Sequence, residues 1–379
     1  MDGVTEIELF RTANLAVRQV GDSGDVCFVT FDSHTRVTSL DRPGFGEGFL
    51  RGEGIAAIHV LSRENRWYQL EEMAAALAAV AEATQRFSKV VTYGSSMGGY
   101  AAMRFARACG AQLALAISPQ FTIDPRRPPF DRRWRSDARR IRFVEPAYAA
   151  PDSAFILFDP DHVLDRAQAR QFIAAGNTIA VPVRFGGHPV SGLLAETGTL
   201  QMLVRQVAAG AFDPQSFRRQ VHALRRDSAQ YYFVLAHRLQ YRRPEVAAAL
   251  LRRALAIARQ PSVLSTFGTI LDREGAFDAA EPLHLEALQM APDDPDSIAL
   301  HAWHLALRGR VRDALRSIDE TVRERAILRS PTLQVVRMHL IADRLTLGLY
   351  FRLFTRFAKW RGAPLVPSRE FWQRPYKPS

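Results

Sequence analysis

The stretch "VVTYGSSMGGYAAMRFA", residues 90–106, restricts what this chain can fold into more than any other. Val90–Tyr93 is a short β-branched and aromatic run of the kind that makes a buried strand. From Met97 onward the apolar residues recur at helical spacing. Between the two lies Gly94-Ser95-Ser96-Met97-Gly98, which fits G-x-S-x-G with Ser96 at its centre. A strand that becomes a helix this abruptly forces its central residue into a strained conformation, and the small flanking glycines let strand and helix approach closely. The serine hydroxyl then stands at the C-terminal edge of a sheet. The N–H of Met97 falls at the helix start, where backbone donors lack partners and the dipole is positive, so an oxyanion is expected to be held there.

The surrounding pattern supplies the sheet. Strand signals at 7–11, 15–20, 26–31, 55–61, 90–93, 113–118, 154–158 and 178–184 alternate with helix signals at 68–84, 97–109, 166–175 and 190–208. From Val26 on this is the βα rhythm of a parallel sheet with helices on both faces, preceded by an antiparallel start. After Phe212-Asp213-Pro214 the strand signals stop and an alanine-rich helical sequence begins. The expected fold is therefore α/β, a mostly parallel sheet flanked by helices, followed by an all-α domain. The expected boundaries are 1–212, 213–350 and a basic, aromatic tail over 351–379.

With 379 residues, 47% of them hydrophobic, the chain has material for two cores. No apolar run approaches a membrane span, and "MDGVTEIELF" lacks the layout of a signal peptide. The two cysteines, Cys27 and Cys109, sit in apolar surroundings without metal-site spacing and read as buried thiols, so a reduced cytoplasmic setting is expected. The net charge of +11 is concentrated. Residues 120–145 hold eight arginines against four acids, and residues 351–379 hold seven basic groups against Glu370. Basicity confined to two segments, with no recognised motif, gives no ground for expecting a nucleic-acid partner.

A serine hydroxyl needs a base, and the base needs an orienting acid. In the order that accompanies this elbow, acid and then histidine follow the serine. His188 in "FGGHPV" lies just past the last strand, on a loop whose Gly186 and Gly187 allow the imidazole to be turned back over the sheet edge. For the acid, "DPDHVLD" offers Asp159, Asp161 and Asp165. Asp165 with Gln168 fits an N-terminal capping box, which accounts for it and leaves Asp159 and Asp161, with a slight preference for Asp159. The loop after an early strand, "FDSHT", offers Ser33 or His34 as a second oxyanion donor, and His34 alternatively as a pocket wall.

On these residues the first 210 positions resemble the α/β-hydrolase superfamily, with Ser96, Asp159 or Asp161, and His188 at the triad positions. "YGSSMGGYAA" followed by "ALAISPQ" is similar to a bacterial subgroup of small hydrolases. The resemblance implies esterase, thioesterase, deacylase or acyltransferase chemistry on a small-molecule, glycan or acyl ester, with no metal and no organic cofactor. It also implies that residues 120–150 form a cap. Arg132, Arg133 and Trp134 in that cap would favour a substrate with an anionic and a flat or apolar part, the alternative being a solvated arginine face. Trp67 in "RENRWYQL" lies either at the pocket rim or in helix packing.

The helical half resembles tetratricopeptide repeats. Counting from Pro261 as the first position of a 34-residue unit, Gly268, Ala280, Ala287 and Pro292 fall at positions 8, 20, 27 and 32. The unit from Pro295 keeps Ala302 and Ala314 at positions 8 and 20, and an earlier one near Ser228 has Tyr231, Ala247, Leu251 and Ala254 at compatible spacing. Two to three such repeats imply a protein partner bound on stacked helices.

Overall fold

The computed structural model describes residues 5–144, 148–325, 331–346 and 348–361. The chain divides into two compact units, the first running through Arg225 and the second from Arg226.

The first unit is built on one eight-stranded sheet. Its strands are β1 (Glu6–Arg11), β2 (Leu15–Val20), β3 (Val26–Phe31), β4 (Ala56–Ser62), β5 (Lys89–Ser95), β6 (Leu113–Ile117), β7 (Ser153–Phe158) and β8 (Thr178–Pro182), in the spatial order β1-β2-β4-β3-β5-β6-β7-β8. The β1–β2 and β2–β4 pairings are antiparallel and all others parallel. β4 and β5 are buried along nearly their whole length, which suits their apolar-rich sequences. β1, at the edge, is mostly exposed and carries Glu6, Glu8 and Arg11, which suits a strand with one unpaired side.

This order puts the site where the sheet's progression reverses. β3 pairs with β4 on one side and with β5 on the other, so the connections leaving β3 and β5 diverge to opposite sides. The crevice beyond the C-terminal ends of such a pair is where open α/β sheets bind ligands. Ser33 follows β3 and Ser96 follows β5, which brings both to that crevice.

Among the described residues eight α-helices accompany the sheet: α1 (Glu47–Gly52), α2 (Met73–Thr84), α3 (Met97–Phe105), α4 (Arg135–Ala138), α5 (Val163–Ala174), α6 (Ser191–Glu196), α7 (Thr199–Ala208) and α8 (Pro214–Leu224). Several depart from the sequence reading for local reasons. α2 starts at Met73 rather than Tyr68, because Trp67 and Tyr68 both take positive φ, 55° in each case, and turn the chain instead. The single helix expected over 190–208 is two, separated at Gly198, whose φ is 69°. α8 belongs with the sheet: its Phe217 is fully buried, with its ring 5.4 Å from Phe212, which in turn packs 4.8 Å from Phe155 of β7. The first compact unit thus extends past the expected boundary at 212.

The second unit, as far as it is described, is helical throughout: α9 (Ala229–Leu239), α10 (Pro244–Ile257), α11 (Pro261–Arg273), α12 (Phe277–Met290), α13 (Pro295–Leu307), α14 (Val311–Arg325), α15 (Pro331–Leu345) and α16 (Leu349–Arg361). Its crossings rest on small buried residues, among them Ala247, Ala254, Ala280, Ala287, Ala302 and Ala314. Trp303, fully buried, centres a cluster with Leu333, Val336, Leu340 and Phe351. The segment read as a tail from 351 begins inside α16, and Phe371, Trp372 and Tyr376 lie outside the described residues. No helix among the described residues is long and apolar enough to cross a membrane.

Candidate active site

Ser96 sits between β5 and α3 with φ 52° and ψ −113°, a region that L residues avoid. Two glycines hold it there by leaving no room for anything else. A Cβ on Gly94 would lie 2.3 Å from the Gly98 carbonyl, and one on Gly98 would lie 2.1 Å from the Phe31 carbonyl oxygen. The start of α3 is therefore pressed against the end of β3. The Ser33 hydroxyl donates to the Ser95 carbonyl at 2.9 Å and ties the loop after β3 to the elbow. Met97 is the first residue of α3, so its N–H is one of the donors that the helix cannot pair internally.

His188 Nε2 lies 3.1 Å from Ser96 Oγ, and its Nδ1 lies 2.7 Å from Asp165 Oδ2. The carboxylate that meets the imidazole is thus neither of the two favoured by sequence. Asp159 is fully buried at the end of β7. One of its oxygens accepts from Asp161 N at 3.0 Å and the other from Gly187 N at 3.1 Å, which fixes the loop immediately before His188. Asp161 pairs with Arg184 at 3.5 Å. The capping-box reading of Asp165 fails because α5 starts earlier: its N-cap is His162, whose ring accepts from Asp165 N, and Asp165 stands at the third helical position. Gln168, the supposed box partner, is buried with its Oε1 accepting from Phe121 N at 2.7 Å.

The segment read as a cap contributes to this acid directly. Arg133, in a short 3-10 turn over Arg132–Trp134, forms ion pairs with Asp131 at 2.6 Å and with Asp165 Oδ1 at 2.8 Å. Its side chain is only 9% exposed, so it is committed within the protein and not offered to a ligand. Arg132 is exposed, while Arg126 and Arg140 pair with Asp124 and Asp137. The Trp134 ring lies 6.1 Å from His188, 5.3 Å from His34 and 5.2 Å from Trp67. Trp67 is fully buried and also meets Tyr100, which makes it packing behind Trp134 rather than rim. His34, one-third exposed, is held by Asp137 at 3.1 Å. Gln120, which the sequence reading passed over, is fully buried with its amide oxygen 3.5 Å from Ser96 Oγ. Its place directly after "SP" at the end of β6 was the available signal.

The electrostatics suit a neutral imidazole beside an ionised carboxylate. Burial opposes charge on His188, and Arg133 and His162 add to that, so its pKa lies below the ordinary value even though Asp165 pulls it up. Burial also penalises the Asp165 carboxylate, but His188, His162 and Arg133 outweigh it and hold its pKa well below the usual range. At neutral pH the pair is a deprotonated acid orienting an unprotonated base. Such a constellation can abstract the proton of a serine hydroxyl.

A parallel sheet with a serine elbow at its switch point and a histidine–carboxylate pair above it defines the α/β-hydrolase class. The chain belongs to the alpha/beta hydrolase family, whose model matches residues 23–372. Among solved structures it is similar to the fluorophosphonate-binding serine hydrolase F of Staphylococcus aureus, at 12% identity and TM-score 0.31, over 48% of this chain and 90% of that one. An α/β serine hydrolase without lid from Xanthomonas campestris matches at 16% identity and TM-score 0.31, over 48% and 85%. The S-formylglutathione hydrolase of Staphylococcus aureus matches at 13% and 0.29, over 59% and 98%. No curated protein matches the chain.

Proposed function

We propose that the protein is a serine hydrolase that cleaves carboxylic esters or thioesters through an acyl-enzyme on Ser96. His188 Nε2 takes the hydroxyl proton as Oγ adds to the acyl carbon, then delivers it to the departing alcohol or thiol as the bond to that group breaks. Asp165 orients the imidazole and stabilises its protonated form. The backbone N–H groups of Met97 and Ser33 face the oxyanion. Water, activated by the same histidine, releases the acid, and an alcohol or amine in its place would make the reaction a transfer. The observation that carries this reading is the contact chain from Ser96 Oγ through both nitrogens of His188 to Asp165, 3.1 and 2.7 Å, on an elbow residue at φ 52°.

For the helical unit we propose a tetratricopeptide-like array that recruits a protein partner. Its support is the start of α11 and α13 at Pro261 and Pro295, one 34-residue period apart, with Gly268 and Ala302 buried at equivalent crossings. The chemistry is tested with p-nitrophenyl esters of graded acyl length. Ser96→Ala is expected to lower turnover by at least about 10³-fold, with Ser95→Ala retaining most of it. Equal turnover by the Ser96→Ala protein would refute the acyl-enzyme.

A further inference from the structure

Outside the site just described, one group of side chains has a composition that its helical surroundings do not require. Asp272 near the end of α11, His284 in α12 and His304 in α13 converge where the three helices meet. All three are buried, the two histidines completely. His284 Nε2 lies 2.9 Å from one Asp272 oxygen and His304 Nδ1 lies 2.6 Å from the other. One ligand-capable atom from each lies within 4.8 Å of the others.

Two further observations point to an occupant. Among the described residues the ion-pair partners of Asp272 are these two imidazoles, with no arginine or lysine to balance a buried carboxylate. A third imidazole, His301, has its ring 6.5 Å from that of His284 and 6.4 Å from that of His304. His284 Nδ1, His304 Nε2 and His301 Nδ1 are all buried and lack hydrogen-bond partners. The unpartnered atoms of His284 and His304 are the ring nitrogens opposite those that meet Asp272, so among the described residues this buried group is left with three unpartnered imidazole nitrogens, more than a helical core usually keeps. The His284 ring packs directly on Gly268, one turn before Asp272: a Cβ there would lie 2.6 Å from His284 Nε2, so only glycine lets that nitrogen sit where it does.

We propose that Asp272, His284 and His304 bind one divalent first-row transition-metal ion, of which Zn²⁺ is the natural probe, and that the ion staples α11, α12 and α13. Two imidazoles and a carboxylate suit such an ion and not Ca²⁺ or Mg²⁺, which take oxygen ligands. Ligand atoms sharing Zn²⁺ at about 2.0–2.1 Å stand about 3.3 Å apart, so the Asp272–His284 and Asp272–His304 contacts, now 2.9 and 2.6 Å, would open by about half an ångström on loading. The site would matter most to a short helical array, which has few neighbours over which to spread its stability.

The test uses the untagged full-length protein, stripped with EDTA and reloaded with Zn²⁺. The expected results are about one zinc per chain after free metal is removed and a melting temperature raised by about 5 °C or more. The zinc absorption-edge spectrum should require imidazole ligands. Asp272→Asn, which keeps the side chain's size, and His304→Gln should each lose both the metal and the shift. Wild-type protein that retains no zinc, zinc held equally by both variants, or a spectrum without imidazole would each overturn the proposal. The stoichiometry and spectrum come from wild-type protein, so a variant that fails to fold does not shield it.

Discussion

Asp165 turns one oxygen to His188 and the other to Arg133, with His162 3.2 Å from the second. This predicts a clear ranking. Asp165→Asn should lower kcat on the order of 10³-fold, because the amide presents the imidazole with the wrong partner and leaves the emerging imidazolium uncompensated. Asp161→Asn should be near wild type. Asp159→Asn should fall between them by loosening the loop at Gly187. Arg133 is a positioning residue, and its signature is a pH profile. His188 must be neutral to act, so kcat/KM falls as pH drops through its pKa, which burial and Arg133 hold below the ordinary 6.5. Arg133→Met should move that acid limb to higher pH, and Arg133→Lys should largely restore it. A limb that stays in place under Arg133→Met would confine the residue to its pairing with Asp131. Ser96 and His188 were legible as candidates because one directly follows a strand and the other lies on a glycine-bearing loop a few residues after one. Asp165 was not, since a three-residue pattern gave it a sufficient local role and only the true start of α5 removes that role.

At the scale of elements, the site depends on how closely β3, β5 and α3 approach one another. Gly98 is the contact point, and Gly98→Ala would drive a methyl group into the Phe31 carbonyl. We expect a destabilisation of about 1–3 kcal/mol by thermal or denaturant unfolding, together with loss of esterase activity, because the displaced strand end carries the Ser33 loop. An active, fully stable Gly98→Ala protein would contradict this account of the elbow. The central strands were readable because burial on both faces favours apolar runs. Element ends were read less well where backbone conformation decides them: at Trp67 and Tyr68, whose positive φ values no propensity foretells, and at Gly198, which interrupts an otherwise continuous helical pattern. The cap shows the same limit. Its arginines are obvious in sequence, but whether they face a ligand or one another depends on partners such as Asp131, Asp137 and Asp165 that only the fold supplies.

For the molecule as a whole, the division at Arg225 has a consequence for where the chain can be cut. A protein ending at Arg225 should keep its esterase activity, while one ending at Phe212 should melt lower, since it loses the fully buried Phe217 that covers Phe212. Equal melting temperatures would show that α8 adds nothing to the first unit. Long-range convergence was the least legible feature at this scale. Asp272, His284 and His304 are unremarkable in sequence, each on a separate helix, and only packing brings them together. The central claim, that this chain acts through a covalent acyl intermediate on Ser96, is tested most directly by reacting the full-length protein with a fluorophosphonate and mapping the adduct by peptide mass spectrometry. The account predicts one adduct, on Ser96, absent from Ser96→Ala and strongly reduced in His188→Ala. An unlabelled wild-type protein, or an adduct on Ser95 or any other residue, would contradict it.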